Sequence, residues 1–174
     1  MSSFLSSFPK KFLNAVFVLV LLAAVLVSCD SNIADDTNDE GTLPEGLIAT
    51  WSSIWGDGYR IGKTDFQYTS DYGDAYAGTI EFVSNYSNNS GVIIIKYSTP
   101  PANLIYGTEQ PFYNGNDYTA VYYRNLTNAE VDLARAINLI DFSSVDTATL
   151  NEAKSKFTRG KMGDYVGAWG SYNR

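Results

Sequence analysis

The side chains able to do chemistry are few, and their types already narrow the field. None of the 174 residues is histidine and only one, Cys29, is cysteine. The commonest general base and the commonest transition-metal ligand are therefore missing. Nucleophilic triads of the usual kind cannot be assembled without histidine. A lone thiol closes no internal disulfide and builds no multi-cysteine zinc site. Carboxylates remain: a pair held about 5–10 Å apart is enough to hydrolyse a glycoside. Glu81, Asp117 and Asp164 lie in the patterned part of the chain, but nothing in their spacing selects a pair, and they read as solvated surface acids. Oxygen ligands for calcium cluster at Gly56-Asp57-Gly58, Asp71-Tyr72-Gly73-Asp74 and Asn114-Gly115-Asn116-Asp117. None has the twelve-residue EF-hand spacing, and all are ordinary turn formers. No metal and no cofactor is expected, and the chain is read as a binding protein rather than an enzyme. A net charge of −7 also argues against nucleic acid as a partner.

The aromatic residues are the better handle. All 13 tyrosines lie beyond residue 58, and buried Tyr and Trp fill cores with their polar tips at the rim. Some can instead line a concave, mostly apolar site for a small apolar or carbohydrate ligand. Trp55, Tyr76, Tyr86, Tyr97 and Tyr122 are the candidates, because each sits on or beside an expected strand. The sequons at Asn85, Asn88 and Asn125 are read as chance matches.

Cys29 has a context of its own. Lys10 and Lys11 are the only charges before Asp30, and Phe12 to Val27 is apolar apart from Asn14. Sixteen residues of helix reach about 24 Å, short of a ~30 Å hydrocarbon core, so residues 1–28 read as a secretory leader rather than a membrane anchor. Leu26-Val27-Ser28-Cys29 resembles the lipobox of bacterial lipoproteins. That resemblance implies a diacylglyceryl group on the Cys29 thiol, cleavage just before Cys29 and acylation of its new amine. At ~0.8 kcal/mol per buried methylene, more than one chain gives stable anchoring. The expected location is the bacterial cell envelope, lipid-anchored to the outer or inner membrane and facing periplasm or exterior. Asp30 resembles the inner-membrane retention signal of some such lipoproteins.

Three regimes follow from this cut. Residues 1–28 are the cleaved leader; residues 29–43 are the lipidated cysteine and an acidic spacer with Asp30, Asp35, Asp36, Asp39 and Glu40; residues 44–174 are the folded domain. The spacer is too polar to fold and its self-repulsion favours extension.

The elements that must position the aromatics are short and β-favouring. Leu47 to Trp55 carries Leu47, Ala49, Trp51 and Trp55 on one parity; Tyr59–Gly62 and Phe66–Thr69 are short runs with a turn between them. Ala75 to Tyr86 alternates, placing Tyr76, Ile80, Phe82 and Tyr86 on one face. An Asn-rich turn leads to Val92–Tyr97, a β-branched run expected to be buried or barrel-lining. Residues 99–116 form a long proline-started loop. Tyr118–Asn125 and Ala129–Ile140 are further strands, the latter with a helical alternative. Thr149-Leu150-Asn151-Glu152 is a capping-box pattern that opens a helix over 149–158, and a last strand is expected over 165–172.

The fold class is therefore all-β and mainly antiparallel: a small, about eight-stranded barrel or sandwich with one short C-terminal helix. Leu47-Ile48-Ala49-Thr50-Trp51 resembles the first-strand Gly-x-Trp signature of lipocalin-like barrels, with Ala49 where that family has glycine. The resemblance implies a tryptophan plugging one barrel end and a ligand-carrying role. The functional expectation is a lipid-anchored envelope lipoprotein whose barrel binds a small apolar or carbohydrate ligand. The alternative is an envelope interaction or structural lipoprotein that contacts another protein and has no small ligand.

Overall fold

The structure, a computed structural model, describes residues 40–71, 74–102, 113–140 and 142–174. The leader, Cys29, most of the acidic spacer and residues 103–112 of the long loop lie outside the described residues.

Eight strands close an up-and-down barrel: β1 Ala49–Ser52, β2 Gly58–Ile61, β3 Asp65–Thr69, β4 Tyr76–Ser87, β5 Ser90–Thr99, β6 Tyr118–Arg124, β7 Glu130–Arg135 and β8 Gly170–Asn173. Each pairs antiparallel with the next, and β8 returns to β1 at Ser52–Asn173. Closure removes the exposed edges that strands this rich in Tyr and Ile would otherwise offer to other chains. Of the two expected architectures, barrel and sandwich, the chain adopts the barrel.

Two apolar clusters share the sheet. Inside the barrel lie Trp51, Ile61, Phe66, Ile93, Ile95, Val121, Tyr123, Val131 and Leu133, among others. Outside β4–β7 a second cluster gathers Phe82, Val92, Ile94, Ala120, Tyr122 and Ala134 beneath Ala153 and Phe157. That outer layer comes from the excursion between β7 and β8, which holds helices α1 (Leu150–Lys156) and α2 (Met162–Tyr165). Covered on both faces, Val92, Ile93, Ile94 and Ile95 are all 0% exposed, which explains why this run does not alternate.

The capping box of α1 forms as its sequence implies. The Thr149 hydroxyl accepts from the Glu152 amide at 3.2 Å, and the Glu152 carboxylate accepts from the Thr149 amide at 3.2 Å.

Three expectations change. In β4 a register shift between Ile80 and Phe82 leaves Glu81 as an extra residue, so the side-chain parity inverts there. Tyr76 and Ile80 face the interior cluster, whereas Phe82 and Tyr86 face the outer one, not a single shared face. The last strand begins at Gly170 rather than 165, because residues 162–165 make a helical turn. β1 ends at Ser52, and Trp55 falls in the turn that Gly56 closes with φ +89°.

One end of the barrel is closed. A 3-10 turn, Glu45–Leu47, lies under it, and the Trp51 indole donates to the Leu47 carbonyl at 2.9 Å. The Arg174 guanidinium lies 4.8 Å from the Trp51 ring and also bonds the Gly46 carbonyl. The chain is docked ahead of the boundary expected at Pro44: the Gly41 amide donates to the Val83 carbonyl at 2.7 Å, and Leu43 packs on the interior cluster.

A tyrosine-lined cavity at the open end

The up-and-down path gathers the β1–β2, β3–β4 and β5–β6 connections and the end of β7 at the opposite, open end. Inward-facing positions near the ends of these strands are dominated by tyrosine. Tyr59 is second in β2, Tyr68 second to last in β3, Tyr76 opens β4 and Tyr172 lies on β8. Their rings touch in sequence: Tyr59–Tyr68 at 4.7 Å, Tyr59–Tyr172 at 4.9 Å and Tyr68–Tyr76 at 5.4 Å between centroids. Tyr97 meets Tyr76 edge to face at 5.8 Å. Tilted and edge-on contacts of this kind are the favoured aromatic geometries.

These rings enclose a cavity of about 150 Å³, lined chiefly by Tyr59, Tyr68, Asp74, Tyr76, Arg135 and Tyr172. Beside it, β7 contributes its one inward-facing cation. Arg135 follows Val131 and Leu133 on the interior parity and pairs with Asp146 at 3.1 Å, with the two side chains 7% and 0% exposed. A buried pair holds only if its remaining hydrogen-bonding groups are met. The Tyr97 hydroxyl accepts from Arg135 at 2.6 Å and donates to Asp146 at 3.1 Å, and the Ser144 hydroxyl donates to Asp146 at 2.6 Å. Asn114 and Asn116 donate to the Asp146 backbone carbonyl, both at 3.0 Å. Those turn residues tie a loop down. Asp57, another turn residue, accepts from the Tyr172 hydroxyl at 2.7 Å, from that of Tyr68 at 3.5 Å, and from the Ser53 hydroxyl.

Not every lining atom has this satisfaction. Tyr76 Oη and Asp74 Oδ1 are buried with no hydrogen-bond partner of ordinary geometry, although the Tyr59 hydroxyl is near enough to bear on the ionisation of Tyr76. Burial pushes the Tyr59, Tyr76 and Tyr97 hydroxyls well above the usual phenol range. Burial does the same to Tyr68, reinforced by the charges of Asp74 and Asp57. The cavity is thus walled by neutral phenols, which can both donate and accept, and by carboxylate, which accepts only. Among the described residues no three His, Cys, Asp or Glu side chains are grouped to hold a metal.

The five aromatic candidates part company. Tyr76 lines the open-end cavity, and Tyr97 packs against it edge to face without being among the chief lining residues. Tyr122, 0% exposed, belongs to the outer cluster, because β6 turns Thr119, Val121 and Tyr123 inward and Ala120 and Tyr122 outward. Tyr86 lies beyond the β4 bulge on that same outer side, and its hydroxyl donates to the Phe157 carbonyl at 3.3 Å. Trp55, 79% exposed, stands on the β1–β2 hairpin and lines nothing. Cys29 lies outside the described residues. Sequence reasoning missed Tyr59, Tyr68 and Tyr172, whose strands are too short for periodicity to orient. It also missed Arg135, although a lone cation on the Val131–Leu133 parity was a readable signal. Asp146 is paired through tertiary structure alone.

Comparison with known protein families, curated proteins and solved structures found no match to this chain.

Proposed function

We propose that this chain is a lipid-anchored lipoprotein of the bacterial envelope whose barrel binds a small, single-ring ligand at its open end. The observation that carries the binding half is the cavity beside Tyr76, where a buried hydroxyl without a partner meets space that a ligand can fill. Its size narrows the expected ligand. A volume of about 150 Å³ falls below the ~300–1,000 Å³ of sites for drug-sized molecules and matches a cavity that admits benzene. A long acyl chain does not fit such a space, whereas one ring carrying polar groups does. The lipocalin-like reading gains support from Trp51, whose indole reaches the Leu47 carbonyl of the turn under the closed end.

The anchoring half rests on Cys29 at the end of the leader. Cys29→Ser should move the protein from the membrane fraction to the soluble fraction, and the mass of the wild-type chain from native membranes should show loss of residues 1–28 and gain of acyl groups. Continued membrane association of the variant refutes the anchor. Native mass spectrometry of the same material should reveal a bound small molecule.

A second reading, a docking surface for another envelope protein, is favoured by one observation. Ile54, Trp55, Leu139, Ile140 and Phe142 are large apolar side chains exposed on connections at the open end. In that case crosslinking in the envelope captures a specific partner and alanine at Trp55 and Phe142 abolishes capture.

A further inference from the structure

We infer that the open-end cavity takes a small organic cation, a primary ammonium carried on one ring, with Asp74 as its counter-ion. This rests on reading the cavity as a ligand site and goes further by assigning the charge of the ligand.

The argument is one of unmet groups. Asp74 Oδ1 is buried, accepts only, and has no donor; Tyr76 Oη is buried and has no partner. The Tyr76 residue is 2% exposed, so solvent does not substitute for the missing group. No ion pair among the described residues involves Asp74 or Asp57. Asp57 is met by phenol and serine hydroxyls, which leaves Asp74, half-buried and without an ion-pair partner among the described residues, as the cavity's acid. Arg135, the cation on the wall, is held by Asp146 and Tyr97 and turned against the Tyr76 ring at 5.1 Å.

Each ligand charge can be weighed against that inventory. An anion meets the Asp74 carboxylate, and the arginine on the wall is already paired with Asp146. A neutral sugar hydroxyl can meet the buried Asp74 Oδ1 but brings no countercharge to the half-buried carboxylate. An ammonium supplies up to three donors and the missing charge together, and the surrounding tyrosine rings attract cations through their electron-rich faces. The volume restricts its substituent to about one ring.

The test uses the full chain in detergent, two probes matched in size, benzylammonium and benzyl alcohol, and a bulkier neutral sugar, methyl glucoside. Calorimetric titration should show benzylammonium binding about tenfold or more tighter than benzyl alcohol, the margin expected for a hydrogen bond to a charged group. Asp74→Asn should erase that preference and leave benzyl alcohol unaffected; Tyr76→Phe should weaken benzylammonium with the fold intact by circular dichroism. Equal or tighter binding of benzyl alcohol or the glucoside overturns the cation assignment and leaves the cavity reading standing. A preference that survives Asp74→Asn overturns the counter-ion. No binding of any probe overturns both readings.

Discussion

Asp146→Asn removes one charge from the most deeply buried ionic contact of the barrel and keeps the side-chain shape. At 3.1 Å from Arg135, the pair attracts by about 5 kcal/mol with an effective dielectric constant of ~20, largely offset by the desolvation of both ions. The substitution leaves that desolvation cost on Arg135 without its compensation. It also weakens the acceptor that the Tyr97 and Ser144 hydroxyls share. Breaking a buried pair from one side costs about 3–5 kcal/mol. For a domain of this size, one kcal/mol corresponds to ~4 °C in Tm, so the expected fall is roughly 12–20 °C. Urea unfolding followed by tryptophan fluorescence should show the same loss as a lower midpoint with an unchanged m-value. The double variant Arg135→Met/Asp146→Leu, in which both charges leave, should recover much of it. A loss below about 1 kcal/mol for Asp146→Asn would mean that water reaches the pair, and the described burial of the barrel end would be wrong.

Two further perturbations probe the wall and the tyrosines. Gly78→Ala should cost about 1–3 kcal/mol in urea unfolding, since a Cβ there would sit 2.2 Å from the Lys96 carbonyl oxygen and 2.6 Å from Ile95 Cγ2; Gly163→Ala, with nothing within 4 Å, should change stability by less than ~0.5 kcal/mol. Raising the pH should unfold the protein steeply above pH 10. Seven tyrosines (Tyr59, Tyr68, Tyr76, Tyr97, Tyr122, Tyr123 and Tyr172) have hydroxyls raised chiefly by burial, Tyr123 to about 12. Their contribution is complete below the unfolded-state value near 10 and is lost above it, where the unfolded chain releases protons that the folded one keeps. Each such group lowers stability by ~1.4 kcal/mol per pH unit until its own folded value is reached. Phenolate absorbance at 295 nm and far-ultraviolet circular dichroism should therefore change together; phenolate appearing gradually around pH 10 with the fold intact would contradict tyrosine burial.

What the residue pattern discloses here depends on whether an element is long, covered on one side and unbulged. β6 meets those conditions and its two faces sort as alternation says, although it is the outer face, under α1, that holds the candidate Tyr122. α1 announces itself through a local reciprocal bond pair that needs no tertiary partner. β4 fails because Glu81 is an extra residue: every side chain beyond it swaps faces, which carries Tyr86 out of the cavity while Tyr76 stays in. Tyr59 and Tyr68 lie on strands of four and five residues, too short to show a period, yet they pair directly across β2 and β3. The Arg135–Asp146 contact depends on an excursion folding back over the barrel, information that no local spacing contains.

The two ends of the barrel differ in what reaches them. The chain enters beside Val83 of β4, through the Gly41 amide, while the cavity opens beside Tyr76 at the start of the same strand. Seven residues of strand separate them, about 23 Å. The closed end, with Trp51 and the 3-10 turn, therefore lies on the side where the acidic spacer arrives, and the tyrosine-lined end lies on the other. That polarity follows from the register of one strand. Whatever occupies the cavity therefore enters at the barrel end away from residues 41–43. The cavity volume of about 150 Å³ restricts the occupant further, by size.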